Sequence, residues 1–248
     1  GIPVRVGPSR VFEDKPSRVT WLYTHTVPIA HDLENTLQAE TYQEIIRGFT
    51  GAQGHGRPVL PAPSTAECAK AATILSSAGT RHKIGLCVKG TFGLKTWPKA
   101  YFAEVVRALH ARYDAAFYLT GAPGDYAYAE EVIDAIGLPV ENLCGKTNLM
   151  ELAALYAQLD LLVTVDTGGA HIAAVTGVPM VVMFGCTSPR RWHPISEHAR
   201  AFTSNEPCCP CTYRETECPS YPQPNCLYHV LPAVVTEACI SYLEYDAE

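Results

Sequence analysis

Residues 161–174 read LLVTVDTGGAHIAA, and this stretch decides the fold of the chain. A largely apolar run, Leu161–Val165, is followed by Asp166, Thr167 and two glycines, and then by a small-residue segment that contains His171. The pattern predicts a buried parallel strand that enters a helix through a tight turn. Such turns lie where open α/β sheets bind ligands, and their N–H groups and helix dipole attract phosphate. The stretch therefore predicts an α/β sheet with a site for a phosphate-bearing ligand.

Strand and helix patterns alternate with short connections from residue 83 onward, after an Ala-rich helix at 64–78. Predicted strands lie at 84–88, 116–119, near Val140, at 161–165 and at 179–184. Predicted helices lie at 64–78, from Pro98 to Tyr113, up to Gly137, at 149–158, at 170–176 and after Pro232. Two of them begin with capping pairs, Ser64 with Glu67 and Asn148 with Glu151. This alternation predicts a doubly wound, Rossmann-like parallel sheet.

The first 60 residues are less regular. Residues 20–23 predict a strand, residues 31–47 predict a helix, and residues 48–63 are rich in Gly and Pro, as linkers are. We therefore divide the chain into an N-terminal stub (1–60), a sheet domain (61–231) that includes a cysteine-rich segment (207–226), and a closing helix (232–248).

Composition narrows the class of protein. The 248-residue chain is long enough to bury a large core, and its net charge of −6 predicts no nucleic-acid partner. No apolar run approaches the length of a membrane span and no signal peptide is visible, so we expect a cytoplasmic protein. Because the chain begins at Gly1 without a methionine, we expect a processed product or a piece of a longer protein.

The turn after the predicted strand at 161–165 offers four candidate site residues. Asp166 can accept hydrogen bonds from a ligand, or it can serve only as the N-cap of the next helix. Gly168 and Gly169 permit close approach of the backbone to a ligand. His171, on the first helical turn, either faces the ligand crevice or is a structural histidine.

A second candidate group lies in the loop after the strand at 84–88. Thr91 and Lys95 place a hydroxyl and a cation just before a helix N-terminus, which suits a diphosphate, although no glycine fingerprint of a nucleotide site is present. Taken alone, a loop lysine such as Lys95 is more often a solvated surface charge.

Taken together, four motifs resemble the heptosyltransferase family, the ADP-heptose-dependent enzymes of the lipopolysaccharide inner core. They are KTWP (95–98), TGAPGD (120–125), GKTNL (145–149) and VDTGGAH (165–171), the last followed by VP (178–179) and FGCTSP (184–189). The resemblance covers roughly residues 83–245 and is specific as a set. It implies an inverting glycosyltransferase of the GT-B class, built from two Rossmann-like domains with the active site between them.

The resemblance also implies residue roles in binding an ADP-sugar. Thr91 and Lys95 hold the diphosphate, and Lys95 stabilises the leaving group. Gly168, Gly169 and His171 bind phosphate, and Asp166 contacts the sugar or ribose or orients the turn. Thr147 and Leu149 border the ribose and adenine. One departure is Gly90, where many members carry a second hydroxyl residue, and it puts one phosphate hydrogen bond in doubt.

The chain matches mainly the donor half of that architecture. The resemblance places the general base upstream of Gly1, so we expect this chain alone to bind donor without transferring sugar. It further implies a lipopolysaccharide core or other glycan acceptor, peripheral contact with the cytoplasmic face of the inner membrane, and no required cofactor.

Five cysteines crowd into residues 208–226. Cys208, Cys211, Cys218 and Cys226 could form a four-thiolate zinc or iron site of structural importance only. The irregular spacing and the additional Cys209 leave two disulfides or a set of free thiols as alternatives.

Three functional hypotheses stay open at the level of sequence. The first is the glycosyltransferase. The second is a nucleotide-sugar epimerase of similar architecture, which needs further catalytic acids. The third is a non-catalytic nucleotide-binding module, or an interaction domain stabilised by metal at the cysteines.

Overall fold

The computed structural model of the chain describes residues 1–11, 15–53, 56–79, 81–211 and 217–245. They form two compact units. The first comprises Gly1–Pro58 and Ser188–His193, and the second comprises Val59–Thr187 and Pro194–Glu248. The closing helix therefore falls in the second unit.

The first unit contains short strands and one long helix. Its elements are β1 (Val6–Pro8), β2 (Arg10–Val11), β3 (Lys15–Pro16), β4 (His25–Val27) and α1 (Gln38–Thr50). β1 pairs with β4 in parallel, and β2 pairs with β3 in antiparallel. Val27, Ile29 and Leu33 form a small buried cluster.

Two predictions for this unit were wrong. Residues 20–23 do not form a strand: Thr20–Leu22 is a single 3-10 turn, and Trp21 is 77% exposed, so it lacks the half-buried surface that favours a strand. The helix predicted at 31–47 begins only at Gln38. The Asp32 carboxylate accepts the Glu34 N–H and the Asn35 side-chain amide, and these local bonds compete with helix formation.

The second unit is built on a six-stranded, fully parallel sheet. Its strands are β5 (His82–Cys87), β6 (Ala115–Leu119), β7 (Val140–Asn142), β8 (Leu161–Val165), β9 (Met180–Met183) and β10 (Ala199–Phe202). Their spatial order is β10-β9-β8-β5-β6-β7. The predicted doubly wound sheet is confirmed, with β10 as one strand that the sequence had not indicated.

Helices connect these strands. They are α2 (Thr65–Leu75), α3 (Lys99–Arg112), α4 (Tyr126–Ile136), α5 (Leu149–Tyr156), α6 (Gly168–Thr176), α8 (Asn225–Tyr228) and α9 (Pro232–Tyr245), while α7 (Pro189–Trp192) belongs to the first unit. Both predicted capping boxes are present, at Ser64 and at Asn148. α4 and α6 end at left-handed glycines, Gly137 and Gly177. Pro98, predicted as the first helical residue, instead occupies the N-cap of α3.

The helices form two layers, as a doubly wound fold requires. α3 packs against α4 and α9, whereas α5 packs against α2 and α6. Leu161, Val163 and Val165 of β8 belong to the core cluster that contains α3, α4 and α9, so the intervening residues of β8 face the other layer. Within the described ranges, no helix has the length and apolar character needed to cross a membrane.

Candidate functional site

The strand order of the second unit determines where a ligand can bind. The order reverses between β5 and β8, because the chain runs from β5 through β6 to β7 on one side and from β8 through β9 to β10 on the other. In open α/β sheets the loops after the strands on either side of such a point diverge and leave a crevice. A ligand site is therefore expected at the carboxyl ends of β5 and β8.

A cavity of about 490 Å³ lies at this point. Its walls come from the ends of β5 and β6, the turn before α5 and the first turn of α6. Four predicted site residues line it: Thr147, Leu149, Gly168 and Gly169. The remaining lining residues are Cys87, Val88, Lys89, Leu119, Thr120, Gly121, Ala122, Pro123, Asp125, Cys144, Asn148, Leu152, Tyr156, Thr167 and Ile172.

Lys95 and Asp166 form an ion pair beside this cavity rather than in its wall. The Lys95 Nζ lies 2.7 Å from the Asp166 Oδ2, and the two side chains are 15% and 5% exposed. Thr187 donates its hydroxyl to the same Oδ2 at 2.6 Å. The alternative in which Asp166 serves as an N-cap is wrong, because Thr167 occupies the N-cap of α6. The carboxylate instead holds a lysine that lies 71 residues earlier in the chain.

Thr91 and His171 lie outside the cavity wall. Both are exposed, and His171 projects from the first turn of α6. The structure thus separates the eight predicted donor-site residues into three groups: four cavity-lining residues, the Lys95–Asp166 pair, and these two exposed side chains.

Close packing against Lys95 favours glycine at position 90. A Cβ at this position would lie 2.5 Å from the Lys95 Cβ and 2.6 Å from the Lys95 carbonyl oxygen. The loop that carries Lys95 therefore folds back on Gly90 too closely for a hydroxyl side chain. The glycine that departs from the family pattern thus fits the backbone path of this loop.

Sequence reasoning missed a second ion pair, which lines the cavity. The Lys89 Nζ lies 3.0 Å from the Asp125 Oδ1, and Asp125 also accepts the Ala122 N–H at 3.0 Å. Lys89 lies two residues beyond β5, and Asp125 lies in the loop that follows β6. Their position after parallel neighbouring strands was the available signal.

Buried polar groups form the floor of the cavity. The hydroxyl groups of Thr120 and Tyr156 lie 2.8 Å apart, and a Cβ at Gly169 would approach the Tyr156 hydroxyl to 3.2 Å. Burial raises the pKa of the Cys87 thiol to about 11 and that of the Cys144 thiol to about 12. The two cavity thiols are therefore protonated at neutral pH.

This protonation predicts slow alkylation of the cavity thiols. Because the thiolate is the nucleophile, Cys87 and Cys144 should react with iodoacetamide at pH 8 at least about 100-fold more slowly than the exposed Cys68 and Cys208, and Cys144 should be the slower of the two. Their rates should rise as the pH approaches 11. Mass spectrometry of the alkylated, digested chain measures each site, and equal rates for Cys87 and Cys208 at pH 8 would contradict the prediction.

The cysteine-rich segment bonds to the loop after β9, which in turn bonds to the loop that carries Lys95. The Cys211 N–H donates to the Cys186 carbonyl at 2.8 Å, and the Cys186 N–H donates to the Leu94 carbonyl at 3.3 Å. The Cys209 thiol donates to the sulfur of Cys226, which lowers the pKa of Cys226. In the described part of the chain, which omits residues 212–216, no three His, Cys, Asp or Glu side chains form a group able to hold a metal. The site of Cys208, Cys211, Cys218 and Cys226 stays a prediction.

Trp97 fixes the other end of the same loop. Its indole is completely buried and donates to the Val230 carbonyl at 3.0 Å, beyond the cysteine-rich segment. In the sequence, Trp97 stands out only as one residue of the KTWP motif. Its role in the structure is to anchor the chain two residues after Lys95.

Comparison with known proteins places these features in a family. The family model for glycosyltransferase family 9 (heptosyltransferase) matches residues 11–221. The chain is 36% identical over 156 residues to lipooligosaccharide heptosyltransferase 2 of Haemophilus influenzae, covering 57% of this chain and 44% of that protein. It is 34% identical over 154 residues to lipopolysaccharide heptosyltransferase 3 of Escherichia coli, covering 60% and 43%. The chain thus spans less than half the length of these relatives.

Solved structures show the same fold. The E. coli ADP-heptose lipopolysaccharide heptosyltransferase II superposes with a TM-score of 0.70 at 24% identity, over 89% of this chain and 66% of that one. A family 9 glycosyltransferase from Veillonella parvula gives a TM-score of 0.72 at 21% identity, over 90% and 64%. With the family model matching most of its length, the chain belongs to glycosyltransferase family 9, the heptosyltransferase family.

Proposed function

We propose that this chain supplies the donor-binding half of an enzyme that transfers a heptose from an ADP-activated donor to a lipopolysaccharide core or related glycan. The observation that carries the proposal is the cavity of about 490 Å³ at the switch point of the sheet, beside the N-terminus of α6. Its volume falls in the range of roughly 300–1,000 Å³ typical of ligand sites. The names of the similar proteins support heptose as the sugar.

The apolar part of the cavity suits a purine. Val88, Leu149, Leu152 and Ile172 contribute aliphatic surface, and Leu149 is exposed at the rim, where it can cover one face of a flat base. Thr147 supplies a hydroxyl next to Leu149. Asp125 can accept from the ribose once Lys89 moves aside.

The phosphate part lies at the start of α6. The N–H groups at Gly168 and Gly169 and the positive end of this nine-residue helix favour an anion, and both glycines line the cavity. Lys95 adds a full positive charge from the side of Asp166. We propose Thr91 and His171 as further phosphate contacts from the exposed edge.

The proposed reaction is a single displacement. An acceptor hydroxyl attacks the anomeric carbon, the new carbon–oxygen bond forms, and the bond to the ADP oxygen breaks with inversion. The hydroxyl proton passes to a general base, which we place in a part of the protein upstream of Gly1. Lys95 stabilises the negative charge that develops on the departing ADP.

Location and partners follow from this assignment. The glycan acceptor is carried on lipid, so we propose that the enzyme works in the cytoplasm with peripheral contact at the inner membrane. Membership of family 9 does not favour the epimerase hypothesis. The hypothesis of a non-catalytic module would be supported if the whole protein bound nucleotide but transferred no sugar.

Nucleotide titration tests the proposal. Calorimetry on the chain should rank ADP above AMP, which lacks the second phosphate, and above GDP and UDP, whose bases differ. Leu149→Asp should weaken ADP binding by about 10-fold, because it removes apolar contact and adds a negative charge. Leu231→Asp is the matched control, since Leu231 is also exposed but lies outside the cavity. Equal affinity for ADP and UDP, or no binding of ADP, would refute the assignment.

A further inference from the structure

One carboxylate oxygen at the site accepts two donors. The Asp166 Oδ2 lies 2.7 Å from the Lys95 ammonium and 2.6 Å from the Thr187 hydroxyl. The Asp166 side chain is only 5% exposed, so water has little access to this oxygen. Thr187 is the neutral member of a group of three side chains, which come from the loops after β5, β8 and β9.

The backbone gives Thr187 a fixed position. Two residues earlier, a Cβ at Gly185 would lie 2.2 Å from the Leu94 carbonyl oxygen and 2.9 Å from the Leu227 Cγ. The Cys186 N–H donates to the same Leu94 carbonyl. The loop after β9 thus lies directly against the loop that carries Lys95, and its contacts leave Thr187 little freedom to move away from Asp166.

A hydroxyl at this point has two physical effects on the ion pair. It holds the carboxylate in one orientation, because a second donor restricts rotation of the carboxylate about its χ2 angle. It also shares the electron density of the Oδ2 with Lys95, so the carboxylate neutralises the lysine less completely. A lysine held in place but incompletely neutralised can exchange a carboxylate for an incoming diphosphate.

We infer that Thr187 is a positioning residue for Lys95. Through its hydrogen bond to Asp166, it sets the position of the Lys95 ammonium before the donor binds and the ease with which this ammonium exchanges Asp166 for the donor diphosphate. The inference rests on the proposed function for the identity of the diphosphate. The ion pair and its hydroxyl partner stand on geometry alone.

Two substitutions at Thr187 and one at Asp166 test the inference. Thr187→Val keeps the shape and removes the hydroxyl, and Thr187→Ser restores it. Thr187→Val should weaken ADP binding by about 5- to 10-fold, whereas Thr187→Ser should stay within about 2-fold of the wild type. In an Asp166→Asn background, Thr187→Val should change the affinity by less than about 2-fold, because the carboxylate through which it acts is gone.

A second readout needs no nucleotide. Acetylation of Lys95 by a small anhydride, followed by mass spectrometry, reports how firmly the ammonium is held. Because Thr187→Val leaves the Asp166 carboxylate to Lys95 alone, it should lower the acetylation rate about 3-fold or more, whereas Thr187→Ser should not, and Asp166→Asn sets the upper limit. Thermal melting verifies that each variant is folded, and Thr187→Ala replaces Thr187→Val if the valine variant does not fold.

The outcomes separate the two claims. If Thr187→Val weakens ADP binding equally with and without Asp166, Thr187 acts only through general packing and the inference is overturned. Unchanged affinity and unchanged acetylation also overturn it. If the wild-type chain binds no ADP, the proposed function fails, and the acetylation rates alone then decide whether Thr187 positions Lys95.

Discussion

Lys95→Ala is expected to weaken ADP binding by about 10- to 100-fold, or roughly 1.5–3 kcal/mol, the range for a charge-assisted hydrogen bond. Two effects combine in this variant. The diphosphate loses its cation, and Asp166 becomes a nearly buried negative charge without its lysine partner. That charge repels an incoming anion. Isothermal titration calorimetry at a fixed, low salt concentration measures the loss.

The double variant Lys95→Ala/Asp166→Asn separates these effects. It lacks the repelling carboxylate, so it should bind ADP more tightly than Lys95→Ala alone while remaining weaker than the wild type. Lys99→Ala is the matched control: Lys99 is half exposed, pairs with Glu131 at 3.2 Å and lies outside the cavity wall. Unchanged ADP affinity in Lys95→Ala would remove this lysine from the donor site.

The stability of each variant must be measured together with its ADP affinity. Removing one member of a buried ion pair often destabilises a protein by about 3–5 kcal/mol, because the remaining charge is left without compensation. Lys95 is 15% exposed, so we expect a smaller loss here. Affinity is therefore compared per folded molecule, at a temperature well below the Tm of each variant.

The sequence predicted the sheet because its signals are local. Apolar runs such as Leu161–Val165, capping residues such as Ser64 and Asn148, and terminal glycines such as Gly137 each act within one helix or strand. Where a side chain competed locally with the helix, as Asp32 does, the predicted boundary failed. From the sequence alone, these competing bonds could be inferred only from the general tendency of Asp and Asn side chains to hydrogen-bond to nearby backbone groups.

The arrangement of the candidate site was less predictable, because it depends on contacts between distant segments. The motifs located Thr147, Leu149, Gly168 and Gly169, and all four line the cavity. Spacing along the chain cannot reveal that Asp166 holds Lys95, or that Thr187 completes the group. These contacts exist only once β5, β8 and β9 are neighbours in the sheet.

The close contact at Gly90 shows the same limit. A missing hydroxyl beside Thr91 suggested a lost phosphate contact, whereas the structure gives the glycine a packing role against Lys95. A residue pattern reports which chemistry is present, but it does not report how closely two loops approach. The same holds for Gly185, which admits the Leu94 carbonyl where a Cβ would clash.

Trp97→Ala is expected to lower the free energy of unfolding by about 3–5 kcal/mol, as for other large buried aromatic residues. The indole is fully buried and packs edge-to-face on Phe102 and Tyr101, with ring centroids 5.0 and 5.5 Å away. Truncation leaves a cavity and also leaves the Val230 carbonyl without the indole donor. Because Trp97 lies two residues after Lys95, ADP affinity per folded molecule should fall as well.

Trp97→Phe keeps most of the ring but not the N–H, so it should lower the free energy of unfolding by about 1–2 kcal/mol. Trp21→Ala is the control of the same residue type: Trp21 is 77% exposed, and its loss should stay within about 0.5 kcal/mol. Urea unfolding followed by far-ultraviolet circular dichroism measures all three variants, and a loss in Trp97→Ala no larger than that in Trp21→Ala would show that this tryptophan does not anchor the loop.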